Sequence, residues 1–392
     1  MFSRRDFLKN ASLALTAAAA RPVLARPVDS SAATEATPFV KGKDGMIVRS
    51  FRFLDLEMPP EFANSWLTPA PHFYVRNHMI EPAKIDASQW KLNVGGEVEK
   101  PSSLSIDQLA RLEQHSVTNT LECAGNGRAF YSPRVPGIQW ERGAVGNASF
   151  SGPRLADILK RAGVKPTGKH VMFRGFDEAP GKVPQFMRSI PVEKALDPDT
   201  LVATHMNNAR LTVHHGFPAR ALVPGWIGAA SCKWLAEIKV LDSEFEGNFM
   251  KPGYRYPNQP VSPGAAVNPD DTHPLTALTV KSMIAAPGED AKCKSGPVRI
   301  SGVAWAGEAD IVKVDISLDG GQTWNPASLG KEQAHYAWRT WTYDWKPVKA
   351  AAYTIRSRAT DSDGRVQPET AQWNPGGYLY NAIDQVKVYV QG

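Results

Sequence analysis

At 392 residues the chain is too long for one ordinary hydrophobic core, and its length predicts two or three domains. With 42% apolar and 21% charged residues it has a globular composition. Half of the basic excess behind its formal charge of +6 lies in the first 25 residues, and there is no Lys/Arg run to mark nucleic-acid binding. Its three cysteines form no CxxC or CxxCH spacing, which excludes zinc ribbons, thioredoxin-type dithiols and covalent haem attachment, so each is read singly.

The N-terminus reads Ser3-Arg4-Arg5-Asp6-Phe7-Leu8-Lys9, followed by an Ala-rich run from Asn10 to Ala20 and by Val23-Leu24-Ala25. A twin-Arg region, a weakly apolar stretch and small residues at a cleavage point predict a Tat-type signal peptide over residues 1–25. That route carries folded proteins and commonly serves those whose cofactor is inserted before export, so a periplasmic protein with a cofactor is expected. The apolar stretch is too short to span a bilayer, and no later run reaches roughly 18 apolar residues, so no membrane anchor is expected. Residues 26–45, rich in Ala, Ser, Thr, Pro and Gly, read as a flexible lead-in.

Residues 46–265 carry a mixed pattern. Strand-like runs at Trp90 to Val94, His170 to Phe173, Ala221 to Val223 and Trp234 to Leu241 alternate with short helical segments. Helices are predicted at Ser105 to Leu112, opened by Ser105, and at Arg154 to Ala162, closed by Gly163. No GxGxxG follows a strand, which removes a Rossmann dinucleotide site. Asn258 to Pro274, with four prolines, reads as a linker.

Residues 270–392 are β throughout, with strands predicted at Leu275 to Ile284, Val298 to Trp305, Ile311 to Leu318, Ala337 to Trp345, Tyr353 to Thr360 and Ile383 to Val390. The third alternates from Val312 on, and Asp319-Gly320-Gly321 supplies turn chemistry after it. Short strands at this spacing favour an immunoglobulin-like sandwich.

The most informative stretch is Thr120-Leu121-Glu122-Cys123-Ala124-Gly125-Asn126-Gly127-Arg128. A lone cysteine among small residues, with Arg128 five positions on, offers a thiolate that a large group can approach; soft thiolates suit redox-active metals. A buried structural thiol is the alternative on these residues alone. Read the same way, Arg220 and Lys233 would be solvated charges, His215 a loop histidine and Trp140 a core residue.

Cys-Ala-Gly-Asn-x-Arg resembles the molybdenum-ligand loop of the sulfite oxidase family. Phe73-Tyr74-Val75-Arg76-Asn77-His78, Gly137-Ile138-Gln139-Trp140, Phe173-Arg174-Gly175-Phe176-Asp177, His215-Gly216-Phe217-Pro218-Ala219-Arg220 and Val223-Pro224-Gly225-Trp226 through Ser231-Cys232-Lys233 are similar to its other motifs, in the same order. Ser317-Leu318-Asp319-Gly320-Gly321 and Asn374-Pro375-Gly376-Gly377 resemble its dimerisation domain. The resemblance implies an α+β molybdopterin-binding catalytic domain over 46–265, followed by an immunoglobulin-like homodimerisation domain. It implies molybdenum held by Cys123 and a molybdopterin contacted by Tyr74, Val75, Arg76, Asn77, His78, Asp177, His215, Arg220, Ser231, Cys232 and Lys233. Cys232 departs from the family's residue type and offers only its backbone there, while Cys293 reads as structural.

Around the substrate it implies Arg76, Arg128, Trp140 and Tyr254, with Tyr256 a second candidate for the tyrosine. Gly127 stands where the animal enzymes carry arginine. With no haem or flavin-reductase module recognised, electrons are expected to leave to a separate c-type cytochrome. The expected reaction is sulfite oxidation to sulfate. The rivals are a sulfane dehydrogenase of a thiosulfate-oxidising complex, an S-oxide or nitrate reductase, and a binding protein that has lost the metal.

Overall fold

The computed structural model describes residues 40–391, so the expected signal peptide and residues 26–39 of the expected lead-in lie outside the described residues. Residues 40–45 are not free: Lys43 is buried with only 5% of its surface exposed, and Met46 joins the core. Composition alone missed this, because a single ammonium anchored on buried acceptors ties down a segment that has no apolar run. Among the described residues no helix is long and apolar enough to cross a membrane.

The first part is built on a five-stranded mixed sheet. Leu235–Leu241 lies at its centre, parallel to Lys91–Gly96 and antiparallel to His170–Gly175, with Ser102–Ser105 and Met187–Pro191 at the edges. One face buries Leu92, Val94, Val171, Phe173, Ile238 and Val240 against Leu155, Ile158 and Leu159 of the helix Leu155–Ala162. That helix ends where expected, because Gly163 takes the left-handed conformation (φ +68°) that lets its N–H reach back to Leu159. The other predicted helix is shorter than expected, Ile106–Ala110. Ser105 and Gln108 form a reciprocal capping box at its start, and the Gln114 amide takes the carbonyls of Leu109 and Leu112 at its end.

A second sheet pairs Gln114–Glu122 with Val145–Pro153 in one unbroken antiparallel register, and Cys123 follows directly from its end. A small sheet of Ile47–Ser50, Asp55–Glu57 and Val75–Arg76 brings the N-terminal segment alongside.

The C-terminal part consists of two sheets. One is ordered Lys281–Ala286, Val298–Trp305, Arg339–Trp345 and Ser328–Leu329; the other Ala291–Cys293, Asp384–Val390, Ala352–Asp361, Ile311–Ser317 and Asn325–Pro326. Ile300, Trp341 and Trp345 from the first meet Ile316, Ile355 and Val388 from the second. The expected alternation from Val312 fails: Val312 and Lys313 are exposed, whereas Val314 through Ser317 are all buried. A register shift between Ile311 and Lys313 breaks the period, and Ser317 is buried because its hydroxyl organises the Asp319–Gly321 turn. Leu275 to Val280 is not strand; Leu275 and Leu278 instead pack into the junction between the two parts.

That junction corrects the linker reading. Arg255–Pro257 pairs with Thr272–Pro274, so the proline-rich stretch is a loop closed by a hairpin. The junction is itself a core, in which Met58, Val75, Ala124 and Val145 pack on Leu278, Met283, Trp305 and Trp338. Across it runs a buried polar clamp. The Lys281 ammonium lies 3.0 Å from one Glu122 carboxylate oxygen, and the Trp305 indole donates to the other at 2.8 Å. Removing one member leaves a buried charge unpaired. Lys281→Met is therefore expected to destabilise the protein by roughly 3–5 kcal/mol in urea unfolding, with most of that loss recovered in Glu122→Gln/Lys281→Met.

Candidate active site

The clamp fixes the loop that carries the thiol. Cys123 donates its N–H to the Ala144 carbonyl at 2.9 Å, and Asn126 closes the turn by donating back to the Cys123 carbonyl at 2.8 Å. The Asn126 side chain bonds Glu122 and the Ala144 N–H. Gly127 is left-handed (φ +89°) and lies so close to the Tyr380 ring that a Cβ would overlap it. The C-terminal part grips the loop again where Leu379 donates to the Ala124 carbonyl.

Beside Cys123 opens a cavity. Its lining gathers Tyr74, Arg76, Asn77, His78, Asp177, His215, Arg220, Ser231, Cys232, Lys233 and Tyr254 with the thiol. These residues come from positions scattered between 74 and 254. Tyr254 (φ +55°) and Trp234 (φ +51°), which also lines the cavity, hold left-handed backbone that side chains rarely adopt, which concentrates strain at the cavity wall.

The lining is strongly cationic. Lys233, between the Asn77 side chain and the His214 carbonyl, is pushed down to about 7 by burial. Arg220 donates to the Ser231 carbonyl at 2.8 Å and the His215 carbonyl at 3.1 Å, and burial lowers it to about 10. Burial also drives His78 and His215 well below the ordinary histidine range, with nearby cations adding to the effect. Against these stand Asp55, paired with Arg76 at 3.2 Å, and Glu81, paired with His214. Asp177 is raised to about 6 by burial, and its Oδ1 is buried without a hydrogen-bond partner. Burial pushes the Cys123 thiol up, while Arg76, Arg128 and the Gly125 N–H pull it back toward the thiolate.

Three expected site residues lie outside the cavity lining. Val75 packs in the junction core, because strand alternation turns it away from the side that bears Tyr74 and Arg76. Trp140 is fully buried among Phe73, Leu121 and Phe150, and its indole N–H has no hydrogen-bond partner among the described residues. Arg128 directs its guanidinium to the carbonyls of Gly376 (3.0 and 3.1 Å) and Ile138 (3.0 Å), which leaves it a neighbour of the thiol without facing the cavity. Ser231 lines the cavity, but its hydroxyl already accepts from the Val223 N–H. Cys232 sits in the core with its thiol raised by burial, and all three cysteines are free. Tyr256 is the less suitable tyrosine: it lies outside the lining, while Tyr254 bonds His78 within it.

Sequence reading missed Lys43, His214, Phe186 and Arg188. Phe186 stacks on His78 with ring centroids 4.1 Å apart, and Arg188 lies over the Tyr254 ring at 4.9 Å. The His214-His215 doublet was a usable signal; the other three had none.

The family described as "Oxidoreductase molybdopterin binding domain" matches residues 78–249, and "Mo-co oxidoreductase dimerisation domain" matches residues 272–391. Rat mitochondrial sulfite oxidase is 36% identical over 359 residues, covering 88% of this chain and 65% of that protein. Sulfite oxidase of Arabidopsis thaliana is 34% identical over 357 residues, covering 84% and 90%. The crystal structure of the sulfane dehydrogenase SoxCD from Paracoccus pantotrophus superposes with a TM-score of 0.75 at 26% identity, over 91% of this chain and 89% of that one. The chain belongs to the sulfite oxidase family, and its cofactor is molybdenum-molybdopterin. It spans 65% of the length of the rat enzyme.

The residues present fit that cofactor. Cationic and neutral donors outnumber buried carboxylates around the cavity, as an anionic phosphate requires, and the orphaned Asp177 oxygen can accept from a heterocycle N–H. The cavity stands beside a thiol suited to the metal. Lys233→Met should lower the molybdenum-to-protein ratio after dialysis at least about tenfold, with circular dichroism unchanged.

Proposed function

We propose that the protein is a sulfite dehydrogenase of the periplasm, exported through the twin-arginine route and passing electrons to a separate c-type cytochrome. In this reading it works as a homodimer formed through an immunoglobulin-like C-terminal sandwich. The observation that carries the proposal is the group of Arg76, Tyr254 and His78 at the cavity wall that bears Cys123.

Cys123 would hold the metal, and Asn77, His78, Asp177, His215, Arg220 and Lys233 would hold the pterin and its phosphate. When bound, the molybdenum cofactor supplies two-electron oxidation with transfer of an oxygen atom. Sulfite and water then give sulfate, two protons and two electrons, and the electrons leave singly to the cytochrome.

Arg76 supplies fixed positive charge for a small dianion and is itself held in place by Asp55. Burial raises the Tyr254 hydroxyl, so it remains a hydrogen-bond donor. His78, kept neutral by burial and by Arg76 and Arg188, presents an Nε2 that can accept the Tyr254 proton. The pairing of the Arg76 guanidinium with the Tyr254 hydroxyl at one wall suits a free oxyanion better than a sulfur atom carried on a protein. The likeness to SoxCD nevertheless keeps a sulfane dehydrogenase as the second reading.

Purified, molybdenum-loaded protein should reduce cytochrome c when sulfite is added and stay idle with thiosulfate. Cys123→Ser should abolish turnover, and Arg76→Gln should lower kcat/KM by about 10²-fold. A loaded protein inert to sulfite but active on a protein-bound persulfide would select the second reading.

A further inference from the structure

Lys43 lies outside the stretch matched to the molybdopterin-binding family, yet its side chain contacts His215, which lines the cavity. Its Nζ is 2.6 Å from the Ala70 carbonyl oxygen, 2.7 Å from the Phe73 carbonyl oxygen and 2.8 Å from His215 Nε2. An ammonium has three N–H donors and no lone pair, so these three partners saturate it only if all three accept. The two carbonyls do so by necessity. His215 Nε2 must then carry its lone pair, which leaves the proton of a neutral imidazole on Nδ1. The ring lines the cavity, and its hydrogen-bond contacts, to Lys43 and the Ala70 carbonyl, are both made through Nε2.

We propose that Lys43 is a positioning residue of the cofactor site, holding His215 as the Nδ1–H tautomer so that the imidazole presents a donor to a phosphate oxygen of the cofactor. The inference rests on this cavity being the cofactor site and not on sulfite being the substrate. Burial lowers Lys43 to about 7, with Lys233 adding repulsion and Glu81 opposing it. A phosphate beside Lys233 removes that repulsion and keeps the ammonium form in the loaded protein. Without Lys43, the alternative tautomer has a ready acceptor, because His215 Nε2 also lies 3.2 Å from the Ala70 carbonyl oxygen.

The test is nitrogen–proton NMR on molybdenum-loaded protein labelled with ¹⁵N-histidine, with His215→Gln used to assign the signal. Wild type should show His215 protonated on Nδ1. In Lys43→Met the proton should move to Nε2, and molybdenum should be released on dialysis about fivefold to tenfold faster. An Nε2–H tautomer in the wild type overturns the proposal without reference to any variant. So does a Lys43→Met protein that keeps both the Nδ1–H tautomer and the wild-type release rate. The molybdenum-to-protein ratio of the same wild-type sample reports separately on whether this cavity is the cofactor site.

Discussion

Buried positive charge without enough buried negative charge is the constraint around which this protein is organised. Arg76, Arg220 and Lys233 line one cavity and Lys43 bonds its His215, while Asp55 and Glu81 already have partners and Asp177 is held toward its neutral form. Desolvating a cation is costly unless an anion or good acceptors replace its water. Backbone carbonyls of Ala70, Phe73, His214, His215 and Ser231 supply part of that replacement. The rest is left to an anionic cofactor. Binding specificity and the instability of the empty site then have the same electrostatic origin.

The thiol is positioned by a different device. Glu122 ends a long strand of the first part, and its carboxylate is divided between Lys281 and Trp305 of the second and Asn126 of the loop itself. Cys123 is the next residue. The C-terminal sheets therefore reach the chemistry through the chain neighbour of the proposed metal ligand, and they also hold Arg128 through Gly376. A domain recognised for dimerisation is here part of the scaffold of the active site.

Much of this was legible in the sequence, for identifiable reasons. Val298–Trp305 and the helix Leu155–Ala162 have strong local patterns and a defined stop at Gly163, and the structure keeps those limits. The motif residues from Tyr74 to Lys233 could be named because their segments resemble those of the sulfite oxidase family in the same order; taken singly, Arg220 and Lys233 read as solvated charges. Position was harder to read than identity. Arg128 has the right chemistry but spends it on carbonyls that only the folded C-terminal part brings near, and Trp140 is large enough to be claimed by the core. Lys43 carried no signal, since a lone lysine in a polar segment looks solvated until the tertiary fold buries it. The linker failed for a related reason: prolines predict loop correctly, but they do not reveal that the loop is closed by a hairpin and docked on an apolar junction.

The charge constraint is tested most directly by the thermal midpoint of cofactor-free and molybdenum-loaded protein between roughly pH 6.5 and 7.5, about a unit below the value at which ordinary thiols titrate. In the empty site Lys43 and Lys233 sit at about 7 against an ordinary value of 10.5. The unfolded chain therefore binds more protons across this window, and the stability of the cofactor-free protein must rise with pH. Bound anion restores both ammonium groups and removes that slope. A midpoint that climbs with pH only when the cofactor is absent is the expected result; parallel curves for the two forms would contradict the claim that the cofactor neutralises buried lysines.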